Sequence, residues 1–401
     1  MKNIFVAFLF LISIASNAQK IIAGPMLGHT DFRTAKVWVH FKADLKDAVL
    51  SFTEKNNKTN PPIIVNFSTL PGGDFNIATA TLTGLEPGKT YNYSITQKNS
   101  KEVLATGSVT TQTLWQWRTD PPAFSFITGS CAYINEPRFD RPGKPYGSNY
   151  SIFESIAKKN PDIMIWGGDN IYLREADWDS KTGIYHRYTY SRKIKETQAL
   201  LAKTQNFAIW DDHDFGPNDG DRGFYYKYET QQAFKDFWAN KSYGMNPNQK
   251  EGIYSCFNWG DAEVFLLDNR FFRSPNDRLT GEKVLLGASQ IQWLIDALVT
   301  SKASFKIIVI GGQVLSSAAV YENYENYKTE KEALLNEITA NKIKGVTFIS
   351  GDRHFTELSM LKRSDAYSLY DWTVSPLTSG HGNIEKIAKT FEDDAEEETH
   401  S

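Results

Sequence analysis

The sequence predicts an α/β domain preceded by an all-β domain, and three observations carry that prediction. Up to Thr113, apolar residues recur with period two in short runs. From Phe124 onward, short apolar runs alternate with amphipathic helical stretches, and several of the apolar runs break off in Gly followed by Asp, or by Asp with His. The first pattern belongs to a sandwich of antiparallel strands, the second to strands joined by helical crossovers. The third gathers polar groups at one edge of a sheet, where ligands bind in such folds.

At the start, MKNIFVAFLFLISIASNAQ has one lysine, an apolar stretch from Ile4 to Ile14 and small residues ending in Ala18. Residues 1–18 have the form of a secretory signal peptide, and the stretch is short of the ~20 apolar residues a membrane span needs. A periplasmic or secreted mature chain is expected, with no span after cleavage. The 401 residues exceed one ordinary domain, and 41% apolar with 23% charged residues can build a sizeable core. A formal net charge of −3, 7 histidines and the lack of a basic run give no nucleic-acid-binding signature. Nothing in the pattern sets the oligomeric state. Of the two cysteines, Cys256 in GIYSCFNWG reads as a buried strand residue, whereas Cys131 falls among the strand-end polar groups. In an oxidising compartment a disulfide between them stays open.

Residues 19–113 form the expected N-terminal β-sandwich. Ala35–Phe41 and Asn76–Leu82 alternate strictly, Ala48–Thr53 and Ile63–Phe67 are shorter runs, and Asn56-Asn57, Pro61-Pro62 and Pro71-Gly72-Gly73 supply turns. The stretch Leu82–Ile95 carries a Pro-Gly turn with a leucine before it and a tyrosine after it. It resembles the corner of an immunoglobulin or fibronectin type III sandwich of about seven strands. No cluster of ligand-type residues occurs there. Residues 114–123, with Pro121-Pro122, are the linker.

Residues 124–385 form the second domain. Strands are expected at Phe124–Thr128, Asp162–Trp166, Phe207–Trp210, Gly252–Phe257, Glu263–Asp268, Phe305–Ile310 and Val346–Ile349, with closing strands at Leu358–Met360 and Ser368–Val374. Helices are expected at Ser151–Lys159, Arg192–Ala202, Glu229–Ala239, Gln290–Val299 and Thr329–Ala340. Residues 386–401 turn acidic and read as a disordered tail.

The strand-end polar residues, in order, are Cys131, Asp169, Asp212 with His213, Gln313, and Asp352 with His354. Most follow a glycine, which lets the backbone turn sharply and approach a ligand. Packed together, such carboxylates repel one another and take up protons unless a cation neutralises them. Two cations about 3.5–4 Å apart, bridged by a carboxylate, lower the pKa of a bound water, orient a phosphate and offset charge on a leaving oxygen. Asp169 is the candidate bridge.

The motifs GSC, GGDNIY, WDDHD and GDRH, in this order, resemble the calcineurin-like metallophosphoesterases, and within them the alkaline phosphatase D branch. The likeness covers nearly the whole mature chain, the leading sandwich included, and implies an α/β/β/α catalytic fold. It also sorts the ligands. Cys131, Asp169, Tyr172 and His354 would hold one metal, for which the resemblance implies iron(III). Asp169, Asp212, Gln313 and Asp352 would hold the other, an all-oxygen set suited to calcium, or to magnesium or manganese. His213 would be left free to assist the leaving oxygen as the catalytic residue. Arg270, in LLDNRFFR, is the cation expected to act with it on phosphate, and Arg187 and Arg192, in the Tyr-rich stretch Tyr185–Arg192, are candidate substrate-binding residues. The aromatic loop from Tyr172 to Tyr190 is expected to set monoester against diester preference. One departure stands at the end: members of the branch often continue beyond the SPLTSGHG stretch, so incomplete or rearranged closing strands are expected here.

The implied protein is an exported phosphoesterase acting on phosphate mono- or diesters through attack by a metal-activated hydroxide on phosphorus. Two other readings share the sequence: a hydrolase of another tetrahedral ester, such as a polysaccharide sulfate, and a glycan-binding protein with a vestigial metal site.

Overall fold

The computed structural model describes residues 20–380 apart from 46, 58–60, 70–74, 99, 101, 245–250 and 365. The expected signal peptide and acidic tail therefore lie outside the described residues.

Eight strands come first: β1 (Ile21–Thr30), β2 (Ala35–Phe41), β3 (Ala48–Glu54), β4 (Ile63–Asn66), β5 (Ser68–Thr69), β6 (Asn76–Leu82), β7 (Thr90–Gln97) and β8 (Val103–Thr110). They pair into two antiparallel sheets, ordered β1-β2-β6-β5 and β4-β3-β7-β8. Alternation in the sequence becomes alternation in burial, with Val37, Val39 and Phe41 meeting Leu50, Phe52 and Ile95 across the sandwich. At the corner, the Tyr91 hydroxyl accepts a 2.8 Å hydrogen bond from the Glu86 backbone N–H, and Leu85 is buried beside it. The leucine, Pro-Gly turn and tyrosine thus pin the sheets as the sequence suggests.

The α/β part begins with β9 (Phe126–Gly129), α1 (Ser151–Lys159), β10 (Ile163–Gly167), α2 (Lys181–Arg192), α3 (Lys195–Lys203), β11 (Gln205–Ile209), α4 (Asp212–Phe215) and α5 (Lys227–Phe237). It continues with β12 (Ser255–Trp259), β13 (Ala262–Leu266), α6 (Ala288–Thr300), β14 (Phe305–Val309), α7 (Lys328–Ala340), β15 (Val346–Ser350), β16 (Thr356–Leu361) and β17 (Leu369–Val374). A parallel three-stranded sheet, β11-β10-β9, faces a six-stranded sheet ordered β12-β13-β14-β15-β17-β16, parallel except for its two edge strands. Phe207 of β11 stacks on Phe257 of β12 with ring centroids 3.7 Å apart. Ile165, Ile209, Val264, Val309 and Ile349 fill the space between the layers. On the outer face of the larger sheet, Leu294 and Leu298 of α6 and Leu334 and Ile338 of α7 pack over Phe265, Ile308 and Phe348. Each such buried side chain contributes roughly 1.5–3 kcal/mol. The α/β/β/α order puts the carboxyl ends of the parallel strands at one rim.

The sandwich is fused to this core. Trp38 lies in it and donates from Nε1 to the Asp236 carbonyl at 2.8 Å. The His29 N–H bonds the Ala239 carbonyl at 2.8 Å, and a Cβ at Gly28 would come within 2.5 Å of that same carbonyl oxygen, so only glycine allows the approach.

One expectation is overturned in kind. Most of the aromatic loop is the helix α2, whose first turn is capped by Ser180 accepting from the Gly183 N–H at 3.0 Å. Tyr185 and Tyr188 are buried, and Tyr188 stacks on Phe237 at 4.8 Å. Tyrosines in a run read as exposed and adaptable, but here they bury their rings against α5.

Candidate metal centre

Each parallel strand delivers its predicted residue to the common rim. Cys131 follows β9, Asp169 follows β10, Asp212 opens α4 just after β11, Gln313 follows β14, and Asp352 and His354 follow β15. Strand residues cannot turn toward a neighbouring strand end without leaving the extended region. Cys131, Asp169, Asp352 and His354 all do so, with φ between 52° and 65°. Room for the turn comes from glycine. Gly168 has φ 98°, and a Cβ there would lie 2.8 Å from that of Asp211.

The first predicted ligand set converges. Cys131 Sγ lies 3.5 Å from Asp169 Oδ2, the Tyr172 hydroxyl 3.3 Å from the same oxygen, and the Tyr172 hydroxyl 3.5 Å from His354 Nε2. Hydroxyls of Ser375, at 3.1 Å, and Ser130, at 3.4 Å, face the Cys131 sulfur, and Tyr146 holds His354 Nδ1 at 3.0 Å. Both cysteines are free thiols, so Cys131 is available as a ligand. Burial, with Asp169 close by, pushes the Cys131 thiol and the Tyr172 phenol up, and Asp352 adds to the push on Cys131. Only a cation in the cluster would draw those protons off.

The second set is richer than predicted. Asp169, Asp212 and His213 can meet around one ion, as can Asp211, Glu322 and Asp352, and Asp212, Asp219 and Glu322. Burial and mutual repulsion lift Asp169 and Asp352 far above the carboxylate range and Asp211 to about 6. Burial alone would raise Asp212 too, but His213 and Arg270 hold it below its ordinary value. Asp211 Oδ2 and Asp212 Oδ1 are buried without a hydrogen-bond partner. Orphaned carboxylate oxygens in a cluster of mutually repelling acids are what a bound cation would satisfy, so the residues fit an oxygen-ligated metal beside the Cys131 set. The Gln313 amide nitrogen is fixed by Glu357 at 2.6 Å and Thr373 at 3.0 Å, which orients its amide plane.

His213 sits at the mouth, its ring 4.2 Å from that of Tyr172 and its Nε2 4.0 Å from Asp212 Oδ2. Burial lowers its pKa, and the Arg174 charge adds to this against the pull of Asp212. Asp211 and Asp214 close a capping box at the start of α4, and Asp214 also receives the Asn170 backbone and side-chain N–H groups. They are scaffold for the two residues between them.

The arginines require correction. Arg270 is fully buried, with Nε on Asp211 Oδ1 at 2.5 Å and Nη1 on Glu322 Oε1 at 2.5 Å, so its fork is spent on two carboxylates behind the rim rather than on a substrate. Arg187 lies in α2, bonded to Asp177 at 2.8 Å and paired with Glu136 and Asp140. Arg192 lies 4.0 Å over the Trp238 ring and donates to the Phe237 carbonyl at 3.2 Å, cementing the sandwich to the α/β core. Neither faces the rim. A buried cation that does is Arg174, which the sequence reading passed over. It is buried between the rings of Tyr133 and Tyr172, 4.9 and 5.5 Å from their centroids, with Nε 3.3 Å from the Tyr133 hydroxyl. It lines a cleft of about 420 Å³ with Tyr133, Tyr146, Tyr172, His213 and Asn218; Arg141 and Lys144 line the outer part of the same cleft. Glu322 was also missed, and the only signal for either was position: Arg174 two residues past Tyr172, Glu322 on the loop after Gln313.

Comparison with known proteins places the chain. Residues 126–400 match the family described as PhoD-like phosphatase, and residues 18–113 match a domain of unknown function, DUF7800. Alkaline phosphatase D of Bacillus subtilis (strain 168) is 23% identical over 360 residues, 77% of this chain and 59% of that protein. The chain thus spans well under two thirds of that relative's length. A solved structure of PhoD superposes with a TM-score of 0.73 at 18% identity, covering 91% of this chain and 78% of the other. The purple acid phosphatase PPD1 of yellow lupin (Lupinus luteus) gives 0.65 at 12% identity, covering 90% and 65%. Those two likenesses establish the fold.

Proposed function

The chain belongs to the PhoD-like phosphatase family, and from that membership and the geometry of the rim we propose that it is an exported, metal-dependent phosphoesterase cleaving phosphate mono- or diesters. The observation that carries the reading is the meeting of Cys131, Asp169, Tyr172 and His354, from three separate strand ends, beside carboxylate oxygens that lack a partner. Cys131, Asp169, Tyr172 and His354 would hold iron(III). Asp169, Asp212, Gln313 and Asp352, with Glu322 in reach, would hold calcium, or magnesium or manganese. When bound, the pair supplies a water activated at neutral pH and positive charge for the phosphoryl oxygens.

The chain's own residues do the rest. His213, free of the first ligand set and open to the cleft, donates a hydrogen bond to the leaving oxygen. Arg174 faces the same cleft and takes the phosphate-gripping role first given to Arg187 and Arg192. Tyr133 and Tyr146 wall the space for the leaving group. Residues 1–18 have the form of an export signal, and no helix among the described residues is long and apolar enough to cross a membrane.

Metal analysis of the purified mature chain, with turnover of 4-nitrophenyl phosphate, its bis ester and the sulfate, tests the reading. Two metals and phosphate-ester turnover that falls at least 100-fold in His213→Ala are expected. Preferential sulfate turnover would favour the sulfatase reading. A metal-free chain without esterase activity would refute the proposal.

A further inference from the structure

The cleft in front of His213 and Arg174 has a second cationic position at its outer end. Its outer wall is the loop 136–146, which carries Arg138, Arg141 and Lys144 within seven residues, with prolines at 137, 142 and 145. Each proline fixes its own φ near −65°, which stiffens the loop. Both ends are also clamped. Asn135 Nδ2 donates to the Gly147 carbonyl at 2.7 Å, and the Gly147 N–H donates back to Asn135 Oδ1 at 3.0 Å. A Cβ on Gly147 would come within 2.7 Å of the Tyr133 carbonyl oxygen, so glycine is what lets the loop close. The Tyr146 hydroxyl meets His354 Nδ1 at 3.0 Å, and the Ser148 N–H bonds the Thr378 carbonyl at 2.7 Å. The loop is thus tied to a predicted metal ligand, which places its cations relative to the rim.

Charge on this wall is unequally committed. Asp140, the one acid among residues 137–146, is spent: its Oδ1 pairs with Arg187 Nη1 at 3.3 Å and its Oδ2 accepts the Glu136 N–H at 2.5 Å. Arg141 reaches Glu175 at 3.1 Å, in a pair whose side chains are 65% and 61% exposed. Such an exposed pair is worth under about 1 kcal/mol, so an anion in the cleft can take the guanidinium over. Lys144, also exposed, lines the same wall. One phosphate at the buried end, against His213 and Arg174, leaves Arg141 and Lys144 without a ligand. The cleft's volume of about 420 Å³ is that of a small-molecule site rather than of one phosphate group.

Resting on the phosphoesterase reading of the rim, we propose that the substrate is a phosphate ester whose organic part carries a second phosphate, gripped by Arg141 and Lys144 while the scissile phosphate lies against His213 and Arg174. Arginine takes a phosphate through two parallel N–H bonds, and lysine takes it as a point charge. A carboxylate would meet the same two cations with less charge than the roughly −1.5 to −2 of a phosphate, so the phosphate is the better fit. No bond to the second phosphate breaks. It selects which ester is cleaved.

Competitive inhibition of 4-nitrophenyl ester turnover tests this in the full mature chain, with butylphosphonate, 5-phosphonopentanoate and butane-1,4-bisphosphonate as probes. The bisphosphonate should have a Ki at least about tenfold below that of butylphosphonate, the worth of a charge-assisted contact, with the carboxylate between them. In Arg141→Gln/Lys144→Gln that ratio should fall to about twofold or less, whereas Arg141→Lys/Lys144→Arg, which keeps both charges, should preserve it. A loop that only supported the fold would shift all three Ki values together and leave their ratio alone. The proposal is overturned if an active enzyme binds the three probes alike. It is equally overturned if the glutamine variant keeps the preference, because chelation of the metals by two phosphonates would then account for it. A chain that turns over neither 4-nitrophenyl phosphate nor its bis ester fails the reading of the rim, and this proposal with it.

Discussion

Replacing Arg270 with methionine separates the two roles an arginine near this rim can have. In the structure the guanidinium is buried among Asp211, Glu322 and, at 3.9 Å, Asp212, and it accounts for the charge balance of the acidic cluster. Methionine keeps the stem's volume but leaves Asp211 without a cation and Glu322 with Arg273 alone. Removing one partner of such a buried set costs roughly 3–5 kcal/mol. For 401 residues, at ~2 cal/mol/K of unfolding entropy per residue, that is a fall of about 4–6 °C in Tm. Bound cations would restore part of it, because the freed carboxylates bind them more tightly. The assay is thermal unfolding of the wild type and Arg270→Met, each with and without chelator, beside KM for 4-nitrophenyl phosphate. A shift below 1 °C together with a KM raised tenfold would refute the structural role and return Arg270 to the substrate.

The other expectations are simpler. Arg174→Gln should raise KM for phosphate esters roughly 10- to 100-fold, the worth of one charge-assisted hydrogen bond, with kcat and Tm little changed because no carboxylate is stranded; steady-state kinetics and melting curves decide it. Tyr172→Phe should abolish the visible phenolate-to-iron band while leaving the fold intact, read by absorption and circular dichroism; an unchanged band would remove Tyr172 from the ligands. Glu330 accepts the backbone N–H groups of Leu285, Leu286 and Gly287 ahead of α6. Glu330→Ala should therefore cost about 2–4 kcal/mol in urea unfolding, and Glu330→Gln, which keeps an acceptor, about half as much.

What could be read from the sequence follows from how local each cause is. A strand ending in Gly-Asp, or in Asp with His, announces itself within seven residues, so Asp169, Asp212 and Asp352 were legible, and Cys131 by its matching place after β9. Glu322 was not, because it stands on an irregular loop and gains meaning only from Arg270, Asp211 and Asp352, all distant in sequence. The arginines misled for a related reason. A positive charge in a polar, aromatic stretch reads as exposed, whereas Arg187 is buried by three acids and Arg192 by two tryptophans that no local pattern connects to them. Burial of a cation is a property of its partners.

Left-handed backbone at Cys131, Asp169, Asp352 and His354 costs about 1–3 kcal/mol per residue where it is strained, and it persists only if neighbouring contacts over-determine it. Those contacts are hydrogen bonds within the chain. Cys131 N–H bonds the Gly168 carbonyl at 3.2 Å, Ala132 N–H the Asp169 carbonyl at 2.8 Å, Gly351 N–H the Gly311 carbonyl at 2.7 Å, and His354 N–H the Ser375 hydroxyl at 3.1 Å. These bonds tie the end of β9 to that of β10 and the end of β15 to those of β14 and β17, so the chain itself aims the side chains. The electrostatics run the other way, since burial and repulsion make the same carboxylates hold protons they would release to a metal. A backbone that fixes the ligands against their mutual repulsion stores free energy that cation binding releases. Chelation should therefore lower Tm while leaving the geometry of the rim nearly unchanged.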